Sequence, residues 1–262
     1  MIDLARHGPW ALVVGGSEGI GAGFAQRLAD AGFKLVLVAR KVAPLEDLAA
    51  ELRGRGAEVR YVSVDLAGSD PLDAVRAITD DFDVGLLVYN AGATSDFGNY
   101  VELEPAAIRR VLAVNVTAVS EFVRHFGGLM RARGRGGIVT CGSAAAFIGS
   151  PTLATYSGAK AFMRTWSEAL WAECRPLGID VLHLMIRLTA TPAMLRLGWP
   201  MDDADQPDEV VAGAFAHLGD GPIHYMGGDA AVAEYQQRCE LANRGAVVLG
   251  GAWKEEDMAG TT

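Results

Sequence analysis

The alternation of short apolar runs with helix-period stretches constrains this chain more than any other feature. Trp10 to Val14 is an apolar run of strand length, and a helical pattern at 20–31 comes next. Residues 33–39 form a second run, continuous apart from Lys34. A run that is apolar on both faces suits a parallel strand covered by helices on either side. Further strand-like runs fall at 58–64, 84–89, 137–141, 179–186 and 222–226. Between and after them lie helical patterns at 45–52, 72–78, 104–130, 209–218 and 229–242, with one through Lys160 to Cys174. This order predicts an α/β fold: a doubly wound parallel sheet of about seven strands with helices on both faces. No internal repeat or linker breaks the 262 residues, so 1–262 reads as one domain.

The first strand-to-helix turn carries chemistry as well as geometry. It reads Gly15-Gly16-Ser17-Glu18-Gly19-Ile20-Gly21. Glycines there let the backbone approach a pyrophosphate closely, and the helix start presents N–H groups to it. A tight turn without a ligand is the plainer reading. Arg40 and Lys41 directly follow the second run. An acid near this point would hold the ribose hydroxyls of NAD, whereas two cations favour the extra phosphate of NADP. Ser17 would add a hydroxyl contact, while Glu18 brings a negative charge into the same region. The two cations could also merely solvate a helix start. Asp65-Leu66 ends the third run, and Asp65 serves either an adenine amino group or a turn. Asn90-Ala91-Gly92 ends the fourth, small enough to leave room for a cofactor above the sheet.

Tyr156 and Lys160 are four apart and so share a helix face. Ser143 follows the run 137–141 and can meet Tyr156 if the intervening loop folds back. These groups suit proton exchange with a carbonyl or alcohol oxygen. A phenol has an ordinary pKa of about 10. An adjacent ammonium is expected to lower it, making Tyr156 the acid/base while Ser143 holds the oxygen. No side chain supplies a hydride, so a nicotinamide cofactor is implied. Asn115, within the 104–130 pattern, either anchors a water leading to Lys160 or makes a structural bond. Residues 189–207, rich in Met, Leu and Trp, fit a lid over a hydrophobic pocket or a cover for the core. His183 reads as a packed strand histidine, and the other histidines lack metal-ligand spacing, so no metal is expected.

The net charge of −9 argues against nucleic acid and anionic membranes as partners. Three scattered cysteines form neither a disulfide framework nor a zinc motif, which fits a reducing compartment. The N-terminus lacks a signal-peptide core. No run approaches the roughly 18 apolar residues of a membrane span. The expectation is a cytoplasmic protein with a polar, frayed tail at 253–262.

With these residues placed, the chain resembles the short-chain dehydrogenase/reductase family over nearly its whole length. The resemblance rests on Gly15-x-x-x-Gly19-Ile20-Gly21, Asn90-Ala91-Gly92, Asn115, Ser143 and Tyr156-x-x-x-Lys160, in the family's order and spacing. It implies a Rossmann-type fold, hydride transfer and an Asn115–Ser143–Tyr156–Lys160 tetrad. In the family the lysine also bonds the nicotinamide ribose, which puts Tyr156 and Lys160 among the cofactor contacts. Thr191 matches a threonine that bonds the nicotinamide amide, and Arg40-Lys41 looks like the pair of NADP-preferring members. Residues 10–21, Arg40 and Thr189-Ala190-Thr191-Pro192 are similar to bacterial 7β-hydroxysteroid dehydrogenases.

Two departures stand out. Val14 replaces a common threonine, and Ile186-Arg187 replaces the usual Pro-Gly after the sixth strand. Arg187 could reach a substrate carboxylate, the cofactor phosphates or solvent. The expected function is NADP(H)-dependent hydride exchange with a bulky hydrophobic ketone or secondary alcohol, a hydroxysteroid being the sharpest case. The alternatives are a 3-oxoacyl thioester reductase and a non-catalytic NADP(H)-sensing protein. The 104–130 and 155–174 helices suit a paired-helix interface, so a homodimer or homotetramer is expected.

Overall fold

The structure, a computed structural model, describes residues 1–92, 97–239, 245 and 248. Seven parallel strands form one sheet in the order β3-β2-β1-β4-β5-β6-β7. They are β1 Trp10–Val14, β2 Lys34–Ala39, β3 Val59–Ser63, β4 Val84–Tyr89, β5 Gly136–Cys141, β6 Ile179–Met185 and β7 Ile223–Tyr225. The helices are α1 Leu4–His7, α2 Gly19–Asp30, α3 Val42–Gly54, α4 Pro71–Thr79, α5 Pro105–Leu112, α6 Val119–Arg133, α7 Ala154–Cys174, α8 Pro192–Arg196, α9 Pro207–His217 and α10 Gly228–Arg238. Among the described residues, no helix is long and apolar enough to cross a membrane.

Side chains alternate across each strand, so the apolar runs feed two core layers. Ala11 and Val13 of β1 pack with Phe24 and Leu28 of α2 and with Val210 and Ala214 of α9. Trp10, Leu12 and Val14 pack on the other face with Phe122 and Phe126 of α6 and Met163 of α7. Strand order reverses between β1 and β4, and a crevice opens above their carboxyl ends at such a point. The glycine turn and Asn90-Ala91-Gly92 both lie there.

Three elements differ from the sequence expectation. Helix α3 starts at Val42 rather than at 45, because Pro44 sits in the first turn, where a missing N–H costs little. The 104–130 pattern is two helices joined by a π-helical turn, Ala113–Ala118. Here Tyr89 Oη donates to Val114 O at 2.7 Å and Asn115 Nδ2 to Val111 O at 3.0 Å. A π-turn keeps the apolar period but rotates the next helix about its axis, so periodicity does not reveal it. Helix α1 is too short for a periodic signal; Asp3 caps it, and buried His7 ties it to Asp180 of β6 at 3.0 Å. The end of the predicted last helix and the 253–262 tail lie outside the described residues.

Candidate active site

The backbone after β5 is stapled to the end of β6. Gly142 N donates to Leu184 O at 2.8 Å, and Ala144 N donates to Ile186 O at 2.8 Å. Ser143 is thereby held between two bonded neighbours, and its Oγ accepts from Ala145 N at 3.2 Å. The chain then returns through a short loop to α7, which places Tyr156 in its first turn and Lys160 one turn later. A hydrogen bond links Ser143 to the Tyr156 hydroxyl. Lys160 is buried, donates from Nζ to Cys141 O at 2.9 Å, and lies 5.7 Å from the Tyr156 ring centroid.

Gly92 shows how the last member joins. A methyl group built on it would lie 3.4 Å from Asn115 Oδ1 and 3.5 Å from Lys160 Nζ. The end of β4, the π-turn and α7 therefore meet at one point. The structure brings Ser143, Tyr156 and Lys160 together, with Asn115 beside the lysine.

The electrostatics correct one expectation. Burial pushes the Tyr156 phenol above its ordinary value, and the Ser143 hydrogen bond only partly opposes this. In the protein by itself, Tyr156 is thus a neutral proton donor rather than a ready phenolate. Burial also draws Lys160 down to about 8, against a smaller opposing effect of Cys141. The Cys141 thiol is pushed up to about 12 by burial, which removes it as a nucleophile. His183 is fully buried, pairs through Nδ1 with Thr140 Oγ1 at 2.8 Å, and is drawn down to about 3 by burial, so it stays neutral as a packed strand histidine.

Lys160 makes a prediction about stability. Its ammonium is held less tightly in the folded chain than in the unfolded one, whose ordinary value is about 10.4. The unfolded state therefore binds more protons between about 8 and 10, and this group makes stability rise with pH across that window. Lys160→Met is expected to remove that rise, to leave Tm at neutral pH unchanged or higher, and to abolish turnover. Melting curves across the window check it; an unchanged slope in the variant would contradict the burial argument.

The turn at the switch point fits a dinucleotide. Gly15 has φ +84°, and a methyl group on it would meet Ala91 N at 2.7 Å. A methyl group on Gly21 would lie 2.0 Å from Gly15 O. Asn90 Nδ2 donates to Gly15 O at 3.0 Å, and Gly15 N donates to Val38 O at 2.7 Å. These bonds hold the turn without the hydroxyl that Val14 lacks. The N-cap of α2, Glu18, makes no side-chain bond to the first turn, so the helix start keeps its donors. The side chains of Ile20 and Leu66 are buried in opposite core layers, which leaves only their backbones to meet a ligand.

Other expected contacts have partners of their own. Arg40 and Lys41 are exposed, and Lys41 Nζ lies 3.4 Å from Glu18 Oε1. Asp65 makes the turn bond, Oδ1 accepting from Ala67 N at 3.1 Å, and pairs through Oδ2 with Arg110 at 3.0 Å. Thr191 caps α8, its Oγ1 accepting from Met194 N at 3.3 Å, and its methyl would lie 3.0 Å from a side chain on Gly19. Ser17 is partly buried in the glycine turn. Arg187 turns neither to the turn nor freely to solvent. Its Nη1 pairs with Asp205 at 3.3 Å, where Asp205 N and O bond Leu188 O and Ala190 N, closing the base of the 189–207 segment. Sequence reasoning missed Arg196, which holds Glu18 through both guanidinium nitrogens, Nη1 to Oε2 at 3.0 Å. The available signal was a lone cation between Leu195 and Leu197. Among the described residues, no cluster of three or more His, Cys, Asp or Glu could hold a metal.

Comparison with known proteins points the same way. A family model described as short chain dehydrogenase matches residues 9–198. The 7beta-hydroxysteroid dehydrogenase of Clostridium sardiniense is 32% identical over 220 residues, covering 82% of this chain and 84% of that one. The very-long-chain 3-oxoacyl-CoA reductase of Neurospora crassa is 32% identical over 219 residues, covering 82% of this chain, which spans 66% of that relative's length. A solved structure from work on 7beta-hydroxysteroid dehydrogenase stereoselectivity superposes with a TM-score of 0.89 at 27% identity, covering 96% of this chain and 99% of the other.

Proposed function

Because the chain belongs to the short-chain dehydrogenase family, we propose that it exchanges a hydride between NADP(H) and a bulky hydrophobic ketone or secondary alcohol, steroid-like in size. The observation that carries this reading is the Ser143–Tyr156 hydrogen bond with Lys160 beside the Tyr156 ring, while Lys160 and Asn115 meet over Gly92 past the end of the strand that flanks the glycine turn. Bound nicotinamide supplies the hydride. The glycine turn and the start of α2 would hold the diphosphate, and Asn90 to Gly92, Lys160 and Tyr156 would hold the nicotinamide ribose. Thr191 would bond the nicotinamide amide. Arg40 and Lys41, with Ser17, would take the 2′-phosphate.

Tyr156 gives its proton to the substrate oxygen, and Ser143 holds that oxygen in place. The raised phenol pKa keeps Tyr156 protonated, so it has a proton to give in ketone reduction. Lys160, beside Asn115, replaces the proton from within the protein. Tyr156 belongs to the wall of a narrow crevice with Leu103, Ile108, Val111, Leu153 and two threonines, Thr152 and Thr155, and the lid exposes Leu195 and Leu197. The exposed leucines of the lid support a hydrophobic substrate. A 3-oxoacyl thioester is the second candidate, favoured by the likeness to the fungal reductase.

Initial rates with NADPH or NADH against keto-steroids, 3-oxoacyl thioesters and small ketones test the reading. Keto-steroid turnover with NADPH is expected. Faster turnover with NADH would overturn the cofactor reading, and a thioester preference would overturn the substrate reading. NADPH binding without turnover of any ketone would replace the enzyme by a sensing protein.

A further inference from the structure

Glu18 sits where the phosphate turn, the end of β2 and the lid converge. It is the N-cap of α2, and its carboxylate is shared by Lys41 at 3.4 Å and Arg196 of α8, the latter in a two-point pair. Arg196 therefore spans 178 residues of sequence to tie the lid to the cofactor turn. The lid also touches the turn directly, through the Thr191 methyl against Gly19.

The charges at this corner make the tie more than a structural clip. Lys41 and Arg196 share one carboxylate, so the corner keeps a net positive charge when the lid is in place. A positive corner suits a phosphate monoester dianion. Without Arg196 that net is lost, and Glu18 faces the incoming phosphate with Lys41 alone to screen it. A dianion that draws Lys41 away from Glu18 makes the carboxylate more dependent on Arg196. Occupation of the corner and closure of the lid then favour each other, and such coupling is reciprocal.

We propose that Arg196 is a lid-borne latch: its pair with Glu18 couples binding of a 2′-phosphorylated adenosine to lid closure. Arg196 is thereby a specificity-determining residue, although it lies in neither the glycine turn nor the Arg40-Lys41 pair. The proposal rests on the NADP(H) reading above and adds to it a partner of the phosphate corner from the substrate side.

The test uses the full chain with adenosine 2′,5′-bisphosphate and, as control, adenosine 5′-monophosphate. Calorimetry reads affinity, and chymotrypsin cleavage after Leu195, Leu197 and Trp199 reads the lid. The wild type is expected to bind the bisphosphate more tightly than the monophosphate and to gain lid protection from it. Arg196→Gln is expected to bind the bisphosphate about three- to tenfold more weakly, bind the monophosphate unchanged, and lose the protection. Glu18→Gln is expected to bind the bisphosphate at least as tightly as wild type, yet also to lose the protection. Weaker binding in one variant but not the other separates a latch from general destabilisation. Protection equal to wild type in both variants overturns the latch while the cofactor reading stands. A wild type with no preference for the bisphosphate overturns both.

Discussion

Tyr156→Phe is expected to lower turnover by about 10²- to 10⁴-fold, the usual contribution of a positioned acid or base. The substitution deletes one oxygen and keeps the ring. The ring is what Lys160 approaches at 5.7 Å and what walls the crevice, so cofactor affinity is expected to stay within about twofold of wild type. Stability should fall by no more than about 1 kcal/mol, because the lost Ser143 hydrogen bond is partly offset by removing a buried, desolvated hydroxyl. Steady-state rates, NADPH binding by fluorescence and a melting curve together check this. Turnover above a tenth of wild type would remove Tyr156 from the proton-transfer role. Loss of cofactor affinity alongside turnover would mean that the phenol holds the ribose more than it serves the substrate.

Gly21→Ala has the second large effect, and its cause is steric. The new methyl group would lie 2.0 Å from Gly15 O and 2.9 Å from Asn90 Nδ2. Neither neighbour can retreat. Gly15 O accepts the Asn90 side chain, and Gly15 N and Gly16 N both donate to Val38 O. Relief must come from moving the start of α2 away from the turn, which separates the helix N–H groups from the diphosphate site. Overpacking of this kind costs about 1–3 kcal/mol. The expected result is a lower Tm and at least a tenfold loss of NADPH affinity, since one displaced helix start forfeits several oriented donors. Gly54→Ala is the control: nothing lies within 4 Å of its added methyl, and it sits at the end of α3. That change should leave stability equal or raise it by about 0.5 kcal/mol or more. A Gly21→Ala protein with wild-type Tm and affinity would show that the turn is looser than its hydrogen bonds imply.

Particular residues show how far the chain could be read before its fold was known. Most strands were legible because burial on both faces leaves nearly uninterrupted apolar runs, β3 because it alternates, and all seven lie within one residue of the expected ranges at each end. The glycine turn was legible because few other sequences permit a methyl-free approach at Gly15, Gly19 and Gly21. Tyr156 and Lys160 were legible because four residues make one helical turn. The π-turn at Asn115 was not, since one extra residue in a turn leaves the apolar period almost intact over a short helix. The direction of the Tyr156 pKa also escaped the sequence. The i, i+4 spacing announces an ammonium, but burial sets the direction against only the Ser143 hydrogen bond, and burial is a property of the closed site.

The cations divide along the same line. Arg40 and Lys41 could be placed beside the glycine turn because they follow a strand whose end the fold class puts there. Arg187 and Arg196 could not, because an irregular segment has no period that fixes where its side chains point. By itself, the sequence determined the parallel sheet, the switch point, the glycine turn and the proximity of Tyr156 and Lys160 on one helix face. Each of these depends on local spacing or on burial patterns that repeat along the chain. Only the tertiary structure decided that Arg187 closes the base of the 189–207 segment on Asp205, that Arg196 clasps Glu18, and that Asn115 and Lys160 meet over Gly92. Those contacts join segments far apart in sequence, and their geometry exists only once the loops at one edge of the sheet have been brought together.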